Sequence, residues 1–189
     1  MGSVRDLSVC AAVLAAGGSR RFEGTTTKLL ADFRGRPLVE WALEAALDAD
    51  VGEVIVVTGA VHLEVAQGIT VVDNPAWAGG LATSLQAAVS HARARGHERV
   101  VVGLGDQPLV PATAWRAVAE SEAPVAVATF AGRRRPPVGL GASVWDLLPI
   151  DGDEGARAVM RERPDLVTEV ACDGEPADID TAEDLARWS

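Results

Sequence analysis

Aromatic and sulfur-containing side chains are scarce in this chain of 189 residues, which has no Tyr, three Phe and two Cys. Two widely spaced cysteines, Cys10 and Cys172, make neither a disulfide framework nor a zinc site. Cys10 lies in an apolar run, and we expect it to be a buried thiol. The hydrophobic content of 48% comes mostly from Ala, Val and Leu. That profile is typical of helices packed on a parallel sheet.

Basic residues and long hydrophobic runs are also few. The chain has 17 Lys and Arg against 27 Asp and Glu, a net charge of −10. Such an acidic surface argues against nucleic acid or an anionic membrane as the main partner, although a local basic pocket can still bind phosphate. No run reaches the roughly 18 apolar residues of a membrane span, and the N-terminus lacks a signal-peptide layout. We predict a cytoplasmic protein with a single domain over residues 1–189.

Short apolar segments alternate with helical patterns along the chain. The hydrophobic periodicity predicts strands at 8–14, 53–58, 69–72, 99–104, 125–130 and 166–170, and helices at 37–49, 81–94, 111–120, 142–148, 155–163 and 181–188. This alternation indicates a three-layer α/β fold with a mainly parallel sheet. In such sheets ligands bind where the strands end.

A glycine pair and three basic side chains follow the first predicted strand. The run is LAAGGSRRFEG from residue 14, with Lys28 shortly after it. Glycines let backbone N–H groups close around phosphate oxygens, and Arg21 and Lys28 could neutralise a triphosphate. The spacing fits neither the Walker A nor the dinucleotide pattern. Taken alone, the run also suits a glycine turn with solvated arginines.

Three aspartates are candidate metal ligands. Asp106 follows the strand at 99–104 in the sequence GDQP. A carboxylate at a strand end beside a phosphate loop suits Mg²⁺, although Asp-x-Pro also opens turns. The side chains of Asp178 and Asp180 point to the same side if their segment is extended. Either could reach the metal, while Asp180 or Thr181 could instead cap the last helix.

These motifs together resemble the MobA-like nucleotidyltransferases. The first loop resembles their L-A-A-G-x-S-x-R signature. GDQP, NPAWAGGLATSL from residue 74, GDEGAR from residue 152 and the ending DIDTAEDL resemble the molybdenum cofactor cytidylyltransferase branch. The resemblance implies a Rossmann-like fold with a mainly parallel, mixed sheet, in which Arg21, Lys28 and Asp106 are catalytic. It also favours Asp178 over Asp180 as the second Mg²⁺ ligand, beside Asp106.

The same resemblance assigns binding residues. It implies an acceptor site with Arg135 and Arg157, although Arg157 could equally be a solvated helix arginine. The first loop is longer than is usual in the family, and Pro136 stands where the branch has a histidine in the acceptor loop at 133–138. The implied nucleotide-binding residues are Ala15, Ala16, Gly17, Gly18, Ser19, Gly80 and Ser84.

The implied reaction transfers a nucleoside monophosphate from a Mg-bound NTP to a phosphorylated acceptor and releases pyrophosphate. CTP is expected, because neither nucleotide motif offers a carboxylate that would read guanine. Molybdenum cofactor is the expected acceptor, and a molybdoenzyme or its chaperone could be a partner. The alternatives are a GTP-dependent guanylyltransferase, a sugar-phosphate nucleotidyltransferase, a non-catalytic accessory protein of a molybdoenzyme, and a flavin- or nicotinamide-dependent oxidoreductase. The missing dinucleotide fingerprint weighs against the oxidoreductase.

Overall fold

A computed structural model describes residues 8–17 and 27–189 of the chain. Strands and helices alternate through most of this part, close to the predicted positions. The strands are β1 (Val9–Leu14), β2 (Asp32–Phe33), β3 (Arg36–Pro37), β4 (Gly52–Thr58), β5 (Ile69–Asp73), β6 (Arg99–Leu104), β7 (Val125–Phe130), β8 (Arg133–Gly141) and β9 (Val167–Ala171). The helices are α1 (Leu38–Asp48), α2 (Leu81–Arg95), α3 (Ala112–Ala119), α4 (Ala156–Glu162) and α5 (Ala182–Trp188). Within the described ranges, no helix has the length and apolar character needed to cross a membrane.

Seven strands form one mixed sheet in the order β5-β4-β1-β6-β8-β7-β9. Neighbouring strands are parallel except around β8, which runs antiparallel to both β6 and β7. Strands β2 and β3 form a separate small hairpin. Every residue of β1 and β7 is buried, as the continuous apolar runs predict for strands covered on both faces. The α/β fold with a mainly parallel, mixed sheet is therefore confirmed.

Side chains of β1 alternate between two cores, one on each face of the sheet. Ala11 and Val13 belong to the core that includes Leu43 of α1 and Trp115 of α3. Cys10, fully buried as expected, belongs to the other core, which includes residues of α2 and α4. The period-2 alternation of a strand thus divides one apolar run between two helix layers.

Residues 133–138, predicted as a loop, lie instead in strand β8; their predicted acceptor role stays a prediction. Proline lacks the N–H that a strand ladder needs, so Pro136 and Pro137 obscure the strand in the sequence. The structure accommodates them at a register shift: β7 pairs with Val138 and then with Arg135, so the two prolines fall between the pairs. The predicted helix at 142–148 is a 3₁₀-helix, Ala142–Leu147.

The C-terminal segment returns to the end of β6. The backbone N–H of Ile179 donates to the carbonyl oxygen of Asp106 at 3.0 Å. The Ile179 side chain is fully buried in a small core with Phe33 and Leu38. Thr181 then caps α5 in a capping box with Asp184, so Thr181 rather than Asp180 is the helix cap. Burial of Ile179 therefore fixes the residues on either side of it near Asp106.

We predict that Ile179→Ala lowers the free energy of unfolding by about 2–5 kcal/mol, the usual cost of emptying a buried aliphatic site. Denaturant unfolding measures it. Ile150→Ala is the matched control, because Ile150 is 77% exposed, and it should change stability by less than about 0.5 kcal/mol. Equal effects of the two substitutions would show that Ile179 does not anchor the C-terminal segment.

Candidate active site

The parallel pairing of β1 with β6 brings two of the predicted motifs together. Leu14 and Leu104, the last residues of these strands, are register partners. The N–H of Gly105 donates to the carbonyl oxygen of Leu14 at 3.0 Å. The loops that carry Gly17 and Asp106 therefore leave the same edge of the sheet. Other predicted residues of the first loop, namely Gly18, Ser19 and Arg21, lie outside the described residues.

Three aspartates and one lysine meet at this edge; we call Asp106, Asp178 and Asp180 the carboxylate cluster. Lys28 Nζ lies 2.7 Å from Asp106 Oδ2 and 2.8 Å from Asp180 Oδ1. Asp178 Oδ1 accepts a hydrogen bond of 2.7 Å from Gln107 Nε2. One largely buried ammonium thus joins two carboxylates, and the third is held beside them. The sequence analysis placed all four charged residues in the site but missed Gln107, the third letter of GDQP.

The pKa values of Lys28 and Asp178 are both raised. Burial works to lower the pKa of Lys28, but the Asp106 and Asp180 carboxylates outweigh it and raise that pKa above its ordinary value. Partial burial raises the pKa of Asp178, and the charges of Asp106 and Asp180 raise it further, against the opposing hydrogen bond from Gln107. In both cases the charges of the neighbouring carboxylates favour the protonated form.

The carboxylate cluster fits a hard divalent cation. Asp106 Oδ1 is buried and accepts no hydrogen bond from any described residue. A buried carboxylate oxygen without a partner is costly, and a cation would satisfy it. Carboxylate oxygens are the ligands that Mg²⁺ and Mn²⁺ prefer. The donor set therefore matches the predicted metal chemistry.

The predicted nucleotide residues line the neighbouring strand ends. Ala15 and Ala16 continue β1, and both are buried. The N–H of Ala15 donates to the Val57 carbonyl at 2.9 Å, and the Ala16 carbonyl accepts from Ala60 N–H at 3.1 Å. Ser84, in the first turn of α2, is buried, and its Oγ accepts from Asn74 Nδ2 at 3.1 Å. These hydrogen bonds fix the positions of Ala15, Ala16 and Ser84.

Gly80 precedes α2 and has a structural need for glycine. Its φ is 102°, and a Cβ there would lie 2.5 Å from the Gly152 carbonyl oxygen and 2.7 Å from Asp153 Oδ1. Asp153 Oδ1 also accepts from Leu81 N–H at 3.3 Å, and the Gly152 carbonyl accepts from Ala82 N–H at 2.9 Å. The start of α2 is thus capped by the 152–153 turn. It places a carboxylate beside Gly80 that the sequence analysis did not anticipate.

The predicted acceptor residues Arg135 and Arg157 line a cavity of about 320 Å³, which we call the arginine cavity. Arg134 and Arg161, on its wall, pair with Glu169 and Glu154. Arg135 and Arg157 form no ion pair with the acidic residues in the described ranges. The aliphatic part of its lining consists of Leu14, Leu81, Leu85, Val102, Leu104, Val127, Val138 and Met160.

Arg135 links this cavity to the carboxylate cluster. Its positive charge works to lower the pKa of Asp178, as a minor contribution against the burial and the like charges that raise it. Arg135 is also part of the cavity wall. A ligand in the cavity would therefore lie next to a cation bound by the carboxylates. This juxtaposition suits a reaction between a metal-bound nucleotide and an anionic second substrate.

Comparison with known proteins shows which sequences this chain resembles. The family model of the MobA-like NTP transferase domain matches residues 11–167. The nicotine blue oxidoreductase of Paenarthrobacter nicotinovorans is 30% identical over 200 aligned positions, which cover 96% of this chain and 97% of that protein.

Solved structures agree with this match. Rv0371c of Mycobacterium tuberculosis has a TM-score of 0.79 at 27% identity, covering 96% of this chain and 97% of that one. A complex of the same protein with manganese has a TM-score of 0.75 at 26% identity, with the same coverage. A nucleotidyl transferase from Methanothermobacter has a TM-score of 0.80 at 25% identity, covering 95% of each chain.

We predict that Asp178→Asn makes the chain more stable at neutral pH. Because the pKa of Asp178 is raised on folding, the folded state binds more protons than the unfolded chain between the ordinary and the raised pKa, and stability falls as pH rises through this window. Asparagine removes the charge and keeps an oxygen for Gln107. Thermal unfolding across pH should show the gain at pH 7 and its loss below about pH 4. The exposed Asp151→Asn serves as the control, and equal or lower stability of Asp178→Asn at pH 7 would contradict the electrostatic interpretation.

Proposed function

The chain belongs to the MobA-like NTP transferase family, and from that premise we propose that it transfers CMP from CTP to the phosphate of a molybdenum cofactor pterin, with release of pyrophosphate. The observation that carries the proposal is the carboxylate cluster at the sheet edge where β1 and β6 end, in which Lys28 contacts Asp106 and Asp180 at 2.7 and 2.8 Å. This arrangement can hold a cation and a triphosphate at one point. The arginine cavity supplies an adjoining place for the second substrate.

In the proposed reaction no protein side chain forms a covalent bond to either substrate. An acceptor phosphate oxygen attacks the α-phosphorus of the NTP, a new P–O bond forms, and the bond to pyrophosphate breaks. A phosphate monoester carries between one and two negative charges at pH 7, so the attacking oxygen needs no general base. Alignment of the two substrates and neutralisation of their charges then supply most of the acceleration.

Each charged residue has a role in this scheme. Asp106, Asp178 and Asp180 would hold Mg²⁺, which when bound neutralises phosphate charge and acts as a Lewis acid. Lys28 contacts two of these carboxylates, Asp106 and Asp180. If the carboxylates held a cation, the Lys28 ammonium would instead be available to neutralise the charge of the leaving pyrophosphate. Arg21, in the part of the first loop that is not described, is proposed to bind the same group.

The arginine cavity favours a flat acceptor over a sugar phosphate. Sugar hydroxyls buried against aliphatic side chains would lose hydrogen bonds to water without replacement. A ring system can lay its faces on Leu85, Val102 and Val138 and keep its anionic group near Arg135 and Arg157. A phosphorylated pterin meets both conditions. The donors and acceptors on its edges would face the open, polar side of the cavity.

An oxidoreductase is the second candidate, because the relative that is 30% identical over nearly the whole chain bears that name. Such an enzyme would bind a nicotinamide or flavin nucleotide at the same strand ends. The carboxylate cluster favours the transferase, since three carboxylates repel a pyrophosphate unless a cation lies between them. An accessory protein that only binds cofactor would have the same pocket without turnover. Parallel assays of pyrophosphate release and of NADH or NADPH oxidation separate the three functions.

We predict that Asp106→Asn lowers the rate of pyrophosphate release by about 10²-fold or more, as expected when a preorganised charge at the reacting phosphate is lost. Asparagine keeps the size of the side chain, so the thermal unfolding midpoint should stay close to that of the wild type. Asp151→Asn, at an exposed aspartate outside the site, should retain full activity. Wild-type turnover by a folded Asp106→Asn protein would contradict the metal assignment.

We predict a higher kcat/KM with CTP than with GTP, measured with molybdopterin as acceptor. The proposed base pocket is lined by small residues, Ala15, Ala16, Gly80 and Ser84, which suit a pyrimidine read by backbone groups. Asp153 is the carboxylate in reach of Gly80, and it is engaged with Leu81 N–H at 3.3 Å. A purine that leaves polar groups unpaired is rejected strongly. An equal or higher kcat/KM with GTP would overturn the cytidylyl assignment. If that GTP activity were then lost in Asp153→Ala, Asp153 would be identified as the residue that reads guanine.

A further inference from the structure

A second group of ligand side chains lies at the opposite edge of the sheet. Cys10 is the second residue of β1, and Glu53 the second residue of β4. The two are register partners in the parallel pair, so their side chains project from the same face. That face is the one covered by α2. Nothing in the nucleotide site uses these residues, because they lie at the strand starts rather than the strand ends.

The end of α2 brings two histidines to this place. Gly96 adopts a left-handed conformation with φ of 78°, and the N–H of His97 bonds back to the Ala92 carbonyl at 2.9 Å. This C-terminal turn directs His97 Nε2 to 2.7 Å from Glu53 Oε2. His91, within α2, places its Nε2 at 3.1 Å from Glu53 Oε1. The ligand atoms of Cys10, Glu53 and His97 all lie within 4.8 Å of one another.

Thiolate, imidazole and carboxylate together are the ligands of zinc in proteins. We propose that Cys10 Sγ, a Glu53 carboxylate oxygen and His97 Nε2 bind one Zn²⁺, with solvent as the fourth ligand and His91 orienting the carboxylate. Glu53 is 20% exposed on its side chain, which gives the ion and the solvent ligand access. Binding replaces the thiol proton with the Cys10–zinc bond and releases that proton to water.

The surroundings support coordination by His97. Its other ring nitrogen, Nδ1, lies 2.8 Å from Ser8 Oγ. A zinc-bound histidine characteristically uses its second nitrogen for such a hydrogen bond, which fixes the ring orientation. Burial, with a further contribution from Glu53, raises the pKa of the Cys10 thiol to about 12.

The two proposed cation sites differ in ligand type and so in the metal they select. The carboxylate cluster offers oxygen atoms, which suit Mg²⁺ or Mn²⁺. Cys10, Glu53 and His97, which we call the Cys10 group, offer sulfur and nitrogen beside one carboxylate, and this combination suits zinc and cobalt. A metal at the Cys10 group would join the start of β1, the start of β4 and the end of α2. Its presence does not depend on the proposed transferase activity.

Cobalt titration of the metal-stripped full chain tests the proposal. With Mg²⁺ present in excess to occupy the carboxylate cluster, Co²⁺ should produce a thiolate-to-cobalt charge-transfer band that saturates at one ion per chain. Zn²⁺ should then displace the cobalt and abolish the band. A hydrogen-bonded cluster without a metal would give no such band, and that result would overturn the proposal.

Matched variants identify the ligands. Cys10→Ala and His97→Gln should each lose the charge-transfer band, whereas Cys172→Ala and His62→Gln should keep it. Circular dichroism establishes that each protein is folded. If Cys10→Ala fails to fold, His97→Gln decides, because it leaves the buried thiol intact. A band that persists in His97→Gln, or that disappears in Cys172→Ala, would contradict the assignment.

Discussion

Three carboxylates at one edge of the sheet, two of them joined by one ammonium, form the constraint on which the rest of the site depends. Like charges at a partly desolvated sheet edge repel one another strongly, because the local dielectric is lower than that of water. Lys28 offsets two of the charges through its contacts with Asp106 and Asp180. The hydrogen bond of Ile179 to the Asp106 carbonyl holds the segment in place against the remaining repulsion. The three carboxylates outnumber the one ammonium, and a divalent cation would balance the excess negative charge.

The mixed sheet relates the carboxylate cluster to the arginine cavity. β8 is the one strand of the seven-stranded sheet that runs against its neighbours, and its Arg135 both lines the cavity and acts electrostatically on Asp178. If β8 ran parallel to β6, Arg135 would lie at the opposite edge of the sheet, where β6 begins. The antiparallel strand therefore brings arginines to the same sheet edge as the carboxylates. In the proposed reaction, Arg135 would offset the repulsion between Asp178 and an anionic acceptor.

The sequence predicted most of the strands because their apolar runs are continuous, and most of the helices because apolar residues recur at helical spacing. It failed at β8, where two adjacent prolines interrupt the pattern and only the pairing with β6 and β7 forms the strand. It placed Lys28 and the three aspartates in one site. It did not predict their mutual contacts, which join residues 78 and 152 positions apart. The Cys10 group was missed for the same reason: its members come from β1, β4 and the end of α2, and no spacing in the sequence relates them.

Calorimetric titration of the wild-type chain with CTP, with and without Mg²⁺, tests the central claim most directly. If the carboxylate cluster binds nucleotide through a cation, CTP alone should meet the excess negative charge of Asp106, Asp178 and Asp180, which Lys28 only partly offsets, and bind weakly or not at all. Addition of Mg²⁺ should strengthen the binding by at least about tenfold, the equivalent of roughly 1.4 kcal/mol. Equal affinity in the presence of a chelator would contradict the account, because the cluster would then have no part in holding the triphosphate.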